Sequence, residues 1–254
     1  MNTSNHTVRT SIALVVVALF LVAVIFLLKR DVQEPIATPS DGTQSETIAV
    51  TDERAVIAKE DALSSIAVAY PRLKGFANGA VEEKINTTIK TEAQSLVGSF
   101  LANYLEDTPP DAPGKNTISS EYKIAGPARG YVTVLLNVSE FASGAAHPNP
   151  YTVSLTFNVA TGEKVVLADF FKPASAYLNI LSSQSRAMVM AKLGDDGDAE
   201  WITTGTQADE LNFQVAYPDI DGFHVIFNAY QVAPYVVGAT EIIIPYAVLE
   251  AVLK

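Results

Sequence analysis

The sequence has no cysteine, only three histidines and a single tryptophan among its 254 residues. Without a thiol the chain can form no disulfide, no zinc–thiolate site and no cysteine nucleophile. Core packing must therefore stabilise the fold, and chemistry that depends on imidazole has few residues to draw on. No two histidines have the HExxH spacing of zinc proteases, so the sequence gives no motif for such a site.

Basic residues are scarce beyond the first thirty positions. All 28 acidic residues follow Arg30, whereas three of the 17 basic residues, Arg9, Lys29 and Arg30, lie within those thirty. Residues 31–254 therefore carry a formal charge of 14 − 28 = −14. So acidic a surface disfavours nucleic acid and anionic membrane surfaces as partners, and we expect no nucleic-acid binding.

One long apolar run lies near the N-terminus. Residues 12–28 contain no polar side chain, and as a helix these 17 residues would span about 26 Å, close to the thickness of a bilayer core. The run ends at Lys29 and Arg30 with no small-x-small cleavage site nearby, which favours an uncleaved signal anchor over a cleaved signal peptide. We therefore expect a short cytoplasmic segment over residues 1–11, a single-pass transmembrane helix over 12–28, and a C-terminal domain outside the cell membrane.

Beyond the anchor, composition and periodicity indicate a linker, two helices and many strands. Residues 29–52 are rich in Pro, Thr, Ser, Gln and acidic residues, which predicts a flexible linker. Apolar residues at helical spacing predict one helix from Val81 to about Leu105 and another from Ser175 to Leu193, with a short closing helix within Pro245–Leu253. The predicted strands are Leu63–Tyr70 (ended by Pro71), Thr117–Ile124, Tyr131–Phe141, Tyr151–Val159, Glu163–Leu167, Leu211–Tyr217, Phe223–Tyr230 and Glu241–Ile244. Asp221–Gly222 predicts a β-hairpin turn before Phe223. This combination predicts an α+β fold in which two main helices pack on an antiparallel sheet.

His147 lies in a loop that is punctuated by glycine and proline, Gly144–Pro150, between two predicted strands. Its imidazole could bind a metal, act as a general base, contact a partner, or simply fix the loop through hydrogen bonds to the backbone. No neighbouring residue supplies a nucleophile with an orienting acid, so we expect no catalytic residue, and we also expect no metal and no cofactor. His224 is expected to be half-exposed on a strand, and it would join a metal site only if the fold brought it close to His147.

Several motifs together resemble a two-part bacterial envelope module. The first part is similar to Tyr70–Gly75 and Val81–Asn86. The second part is similar to Gly144–His147, Phe157–Lys164, Leu167–Phe171, Asp221–Phe223, Tyr230–Gly238 and Ile244–Tyr246. Such modules occur in the ectodomain of RsiV-type anti-sigma factors and ahead of the catalytic domain of PdaC-type peptidoglycan deacetylases. The resemblance implies an N-terminal subdomain over residues 53–143 and a C-terminal subdomain over residues 144–254.

This resemblance also implies a function. We expect a membrane-anchored, extracytoplasmic and non-catalytic binding or sensing domain of the bacterial cell envelope, which recognises a protein (lysozyme-like) or a cell-wall ligand. The alternative is an enzyme that acts on peptidoglycan glycan with an unidentified carboxylate pair, and two carboxylates about 5 to 10 Å apart in a cleft would favour it. Rigid rings in loops rich in proline and glycine suit interfaces, so the expected contact residues are His147, Pro148, Asn149, Tyr151, Tyr230 and Tyr235.

Overall fold

The computed structural model describes residues 49–104 and 113–254. The predicted cytoplasmic segment 1–11, the predicted transmembrane segment 12–28 and the predicted linker up to residue 48 lie outside these residues. Within the two described stretches, no helix is long and apolar enough to cross a membrane. The membrane anchor therefore stays a prediction.

Six strands form the larger sheet in chain order: β1 (Thr51–Glu60), β2 (Ser64–Lys74), β3 (Asn116–Ala128), β4 (Tyr131–Phe141), β5 (Asn149–Asn158) and β6 (Lys164–Val165). All neighbours pair antiparallel except β2 and β3, which run parallel over Ser64–Val68 and Asn116–Ser120. The prediction of an antiparallel sheet is wrong at this pair. Helix α1 (Gly79–Tyr104) lies between β2 and β3 in the chain, and a crossover of that length lets adjacent strands point the same way.

The first two strands also differ from the sequence-based prediction. Strand β1 was not predicted, because most of its residues are exposed and it shows no clear apolar alternation. Strand β2 continues through Pro71, which was expected to end it. The pairing of β2 with β3 stops at Val68, so Pro71 lies opposite Arg54 of β1 where β2 has a single partner. Proline is tolerated in a sheet at such a position because its missing N–H is not needed by a second strand.

Helix α1 covers one face of the larger sheet, as its apolar residues at helical spacing predicted. Of the predicted residues, Val81, Ile85, Ile89 and Phe100 are buried and Leu96 and Tyr104 are partly buried, and Ala93 is buried with them. They pack against the inward-facing residues of β2 to β5 in one apolar cluster, and a fully buried ring such as Phe100 stabilises the fold by about 1.5–3 kcal/mol. The carboxamide of Asn86 accepts a hydrogen bond from Leu73 N at 2.7 Å and donates one to Leu73 O at 2.9 Å, which fixes α1 to the end of β2.

The C-terminal part of the chain forms a second sheet with its own helices. Its elements are α2 (Tyr177–Leu193), α3 (Ala199–Gly205), β7 (Ala216–Asp219), β8 (Gly222–Phe227), β9 (Thr240–Ile244) and α4 (Tyr246–Leu249). Strands β7, β8 and β9 form an antiparallel sheet in that order. The predicted second helix and the hairpin at Asp221–Gly222 are confirmed. The predicted strand Leu211–Tyr217 is a 3-10 turn over Glu210–Phe213 followed by β7, because the Asp209 side chain accepts from Leu211 N and caps the turn.

The smaller sheet packs against the larger one on the face opposite α1. Val215 and Tyr217 contact Ala125 of β3 and Leu135 of β4, and alternate residues of these strands face α1. The α+β class is thus confirmed, with one mixed sheet and one small sheet in place of a single antiparallel one. Strands β5 and β6 belong to the larger sheet although they follow residue 143, and the division into two subdomains stays a prediction.

Candidate functional site

The loop that carries His147 connects β4 to β5 on the protein surface. The tight turn of this loop begins at Gly144, whose φ of +87° is a backbone conformation that glycine adopts without a steric cost. Asn116 accepts a hydrogen bond from Ser143 N at 2.7 Å and Ala145 N donates to Ala142 O at 2.9 Å, so both ends of the turn are fixed. His147 itself is exposed.

Three of the predicted contact residues meet in one group, which we call the aromatic cluster: His147, Tyr230 and Tyr235. The His147 ring stacks on Tyr235 with ring centroids 3.9 Å apart and an angle of 20° between the planes, and Tyr230 lies 5.6 Å from Tyr235. His147 Nδ1 lies 2.9 Å from Pro148 O and Nε2 lies 3.2 Å from the Tyr230 hydroxyl. Because a carbonyl only accepts, Nδ1 donates to it, and in the neutral ring Nε2 accepts from Tyr230.

The backbone of Tyr230 is held in a conformation that a bulky residue rarely adopts, with φ = +68°. The indole of Trp201 donates to Tyr230 O at 2.9 Å, and Gln231 N donates to Asn228 O at 3.0 Å. The Asn228 carboxamide in turn pairs with Thr152 of β5, accepting from its N–H at 2.8 Å and donating to its C=O at 3.3 Å. Trp201 and Asn228 thus attach the loop to α3 and to β5, and they hold the Tyr230 ring beside His147.

Apolar side chains continue the aromatic cluster towards solvent. The 3-10 turn Tyr235–Val237 leaves Val236 90% exposed and Val237 37% exposed, and Tyr230 is 48% exposed. Exposed apolar side chains that adjoin one another, with polar surroundings, are typical of interaction sites.

The other predicted contact residues lie differently. Pro148 and Asn149 are exposed beside His147 at the start of β5. Tyr151 is half-buried against the core beneath α1, and its hydroxyl donates to Glu140 Oε1 at 2.6 Å. Burial raises the pKa of Tyr151, and the hydrogen bond to Glu140 raises it further. Tyr151 therefore supports the sheet and lies outside the aromatic cluster, and its role as a contact residue stays a prediction.

A groove of about 540 Å³ lies on the same face of the larger sheet as the smaller sheet. Its floor is formed by small and mostly uncharged side chains, among them Val56, Ala67, Ser119, Asn137, Ser139 and Thr152. Arg54 and Glu121, also in its lining, pair with each other through two hydrogen bonds of 2.5 and 2.8 Å. Pro150 and Ala239 line the groove as well. They closely follow the His147 loop and the Tyr235–Val237 turn in the chain, so the groove adjoins the aromatic cluster.

His224 is buried, contrary to the expectation of a half-exposed strand residue. It is 5% exposed, because Tyr217 of β7 stacks on its ring with centroids 5.0 Å apart. Its Nε2 lies 2.7 Å from Asp221 Oδ1 and its Nδ1 lies 2.8 Å from Glu241 Oε1. In the described part of the chain, Asp219, Asp221 and His224 bring ligating atoms within 4.8 Å of one another, in a group that does not include His147. Both ring nitrogens lie at hydrogen-bond distance from carboxylates, which is the geometry of a hydrogen-bonded ion pair.

Comparison with known proteins agrees with the motif resemblance. Residues 168–247 match a family model described as "Protein of unknown function (DUF3298)". This C-terminal region is therefore similar to the DUF3298 family. The chain is also a distant homologue of the anti-sigma-V factor RsiV of Bacillus subtilis, with 24% identity over 204 residues that cover 78% of this chain and 68% of that protein. The predicted resemblance to RsiV-type proteins is therefore confirmed.

Two crystal structures share this fold. A DUF3298 family member from Bacteroides fragilis superposes with a TM-score of 0.57 at 19% identity, covering 82% of this chain and 95% of that one. A DUF3298 family protein from Pseudomonas aeruginosa gives a TM-score of 0.55 at 16% identity, covering 81% of this chain and 93% of that one. At these identities the likeness concerns the fold alone.

Sequence reasoning did not find Trp201, Asn228 or the groove. The contacts of Trp201 and Asn228 join residues 29 and 76 positions apart, and no local pattern encodes them. The groove is lined by residues of five strands, β1 to β5, and by Ala239 just before β9, so it exists only once the strands are in register.

Proposed function

We propose that this chain is a membrane-anchored extracytoplasmic binding or sensing domain, and that it recognises its ligand through the aromatic cluster. The ligand is a protein (lysozyme-like) or a cell-wall component. The main support for this proposal is the stacking of His147 on Tyr235, with ring centroids 3.9 Å apart, beside Tyr230. The loops that carry these rings also expose the neighbouring Val236. The apolar run over residues 12–28 supports the membrane anchor.

The composition of the cluster supports binding. Tyrosine is over-represented among the residues that contribute most to interface energy, because its rigid ring contributes large contact area at a small cost in conformational entropy. A ligand that covers Tyr230 and Val236 would bury side chains that are 48% and 90% exposed in the free protein. Full burial of an exposed side chain such as Val236 contributes about 1.5–3 kcal/mol, and Tyr230 gains less because part of its surface is already buried.

The backbone conformation of Tyr230 supports binding as well. A tyrosine in the left-handed region costs the fold roughly 1–2 kcal/mol, and such strain persists where the surroundings enforce it. Here Trp201 and Asn228 enforce it, so the ring is held in place before any ligand arrives. Pre-organised contact residues raise affinity because less freedom is lost on binding.

The net charge of the domain and the lining of the groove indicate which classes of ligand suit this protein. Residues 31–254 carry a net charge of −14, which attracts cationic proteins and repels polyanions. The groove beside the cluster contains a self-neutralising Arg54–Glu121 pair and a floor of small, mostly uncharged side chains, which suits an uncharged glycan. A basic lysozyme and purified peptidoglycan are therefore the two probes to compare.

The test uses the full-length protein in detergent micelles and two matched substitutions. Val236 is 90% exposed beside Tyr235, and Ile220 is 87% exposed on the β7–β8 turn. Each is changed to aspartate, which costs neither variant a buried contact. We expect V236D to lower the affinity for the bound probe at least tenfold, and I220D to leave it unchanged, in surface-plasmon or pull-down titrations. Equal affinities of V236D, I220D and wild type would exclude the aromatic cluster as the binding surface.

A glycan-turnover assay on the same preparations separates binding from catalysis. Saturable binding without turnover supports the proposal. Turnover that survives purification and disappears in a carboxylate variant would instead establish the alternative, an enzyme acting on peptidoglycan.

A further inference from the structure

His224 lies between two carboxylates that belong to different elements of the smaller sheet. Asp221, in the β7–β8 turn, faces Nε2 at 2.7 Å, and Glu241, on β9, faces Nδ1 at 2.8 Å. The imidazole side chain is 7% exposed, whereas the side chains of Asp221 and Glu241 are 57% and 40% exposed. One buried ring thus joins β8 to the preceding turn and to the neighbouring strand.

The hydrogen-bond chemistry of this arrangement fixes the protonation state of the ring. A neutral imidazole has one N–H, and its other nitrogen is an acceptor. An ionised carboxylate accepts only, so two carboxylates at hydrogen-bond distance from both nitrogens require two N–H groups. Burial by itself lowers the pKa of His224, but the hydrogen bonds to Asp221 and Glu241 outweigh this effect and raise it above its usual value.

We propose that His224 is a buried imidazolium that clamps the smaller sheet, and that loss of its proton loosens β9 and the β7–β8 turn. In the neutral ring only one nitrogen can donate, so one of the two carboxylates then faces a lone pair. Glu241 lies in β9, which begins at Thr240 just after the Tyr235–Val237 turn. The clamp therefore holds the strand that follows the exposed turn.

Other charged and titratable groups surround the clamp from the packed elements. They are Tyr217 and Asp219 of β7, Lys123 of β3, and Lys192 of α2. The Tyr217 hydroxyl donates to Glu241 Oε1 at 3.2 Å, and Lys192 Nζ donates to Glu241 O at 2.7 Å. Lys123 acts on Asp221 and Glu241 through charge alone. Burial raises the pKa of Tyr217 above its usual value, so Tyr217 stays neutral while His224 titrates.

The signs of the shifts define the pH window of the clamp. Folding raises the pKa of His224. The stability that its protonated ring contributes is therefore complete at pH values below its pKa in the unfolded chain, about 6.5, and is lost as the pH rises through its pKa in the folded protein. The hydrogen bond from His224 lowers the pKa of Asp221, and contact with His224 outweighs burial to lower that of Glu241. The stability that Asp221 and Glu241 contribute is therefore lost as the pH falls through their pKa values in the folded protein. The clamp is strongest in mildly acidic to neutral solution and weakens on both sides.

The experiment has two readouts on the full-length protein in detergent micelles. The first is an NMR titration of the imidazole nitrogens, in which H147Q and H6Q remove the other two histidine signals. We expect the His224 ring to carry protons on both nitrogens at pH 6.5 and to titrate above that value. A ring that is neutral at pH 6.5 would overturn the proposal, and this readout needs no substitution of His224 itself.

The second readout is the melting temperature of wild type, H224Q and H147Q between pH 6 and pH 9. The wild-type value should fall by roughly 3 °C or more relative to H224Q over this range, because only wild type loses the clamp. H147Q should follow wild type, since His147 is exposed. Parallel pH profiles of wild type and H224Q would contradict the clamp. So would a rise in melting temperature with Zn²⁺ that wild type shows and H224Q does not, because His224 would then bind a metal through a free nitrogen.

Discussion

The two histidines that the structure describes have opposite surroundings. His147 is exposed in a loop, stacks on Tyr235, and makes its hydrogen bonds to a carbonyl and a hydroxyl. His224 is 5% exposed on a strand, stacks on Tyr217, and makes its hydrogen bonds to two carboxylates. The same side chain is thus available to a ligand in one region and is a structural cation in the other.

The difference shows that residue type alone does not assign a role to a histidine. Each histidine ring stacks on a tyrosine ring, and each histidine has turn-forming residues close to it in the sequence. What separates them is the number of carboxylates within hydrogen-bond distance and the depth of burial, and both follow from strand pairing. The predictions below test whether the His147 region depends on support from the core and whether the His224 region depends on charge.

The largest effect is expected where α3 supports the loop of the aromatic cluster. Gly205 is buried, and a Cβ at this position would lie 2.0 Å from Gln231 O, next to Tyr230. We expect G205A to cost about 3 kcal/mol of unfolding free energy and to weaken ligand binding, because the loop must move. The control G98A adds a methyl group to α1 where nothing lies within 4 Å, and it should stabilise by up to about 0.8 kcal/mol. Urea unfolding of both variants measures this contrast, and equal stabilities would mean that the loop adapts without cost.

The next effect compares the two histidines directly. H224A leaves Asp221 and Glu241 without their shared donor and opens a cavity beneath Tyr217. We expect it to cost about 2 kcal/mol, less than for a fully buried ion pair because both carboxylates are partly exposed. H147A should cost less than about 1 kcal/mol, as an exposed loop residue does, yet it should reduce binding. A denaturant titration of both proteins tests this, and a larger loss of stability in H147A than in H224A would reverse the assignment of the two regions.

The smallest effect concerns the strained backbone of the aromatic cluster. Ala174 and Tyr230 both have positive φ, +58° and +68°. We expect A174G to stabilise the protein by about 1 kcal/mol with unchanged binding, since glycine relieves the strain and no side-chain contact is lost. Y230G gains the same relief but loses the ring contacts with His147 and Tyr235, so its stability should change little while its binding falls. Thermal unfolding together with the binding titration checks both variants, and full binding by Y230G would remove Tyr230 from the site.

Much of the fold followed from local patterns. The helical spacing of Val81, Ile85 and Ile89 predicted α1, and strands β3 and β4 were found within a few residues of their ends. Turn residues at Asp221–Gly222 predicted the β7–β8 hairpin. These elements are encoded within about ten residues each, because the side chains that form them are neighbours in sequence.

The misplaced elements depend on distant partners. Strand β1 has little apolar alternation and exists because β2 offers it ten backbone partners. Pro71 remains inside β2 because β3 has already diverged at that point. Parallel pairing of β2 with β3 is a property of the crossover and not of either strand, so alternation within the strands did not predict it.

The sequence by itself determined the absence of thiol chemistry, the acidic charge, the main helices and most strands, and which loops carry rings. Only the tertiary structure decided that His147, Tyr230 and Tyr235 share one surface, that Tyr151 supports the sheet, and that His224 is enclosed by Asp221 and Glu241. The physical reason is range. Composition and periodicity report interactions between residues a few positions apart, whereas each of these groupings joins segments that only sheet pairing and loop closure bring together.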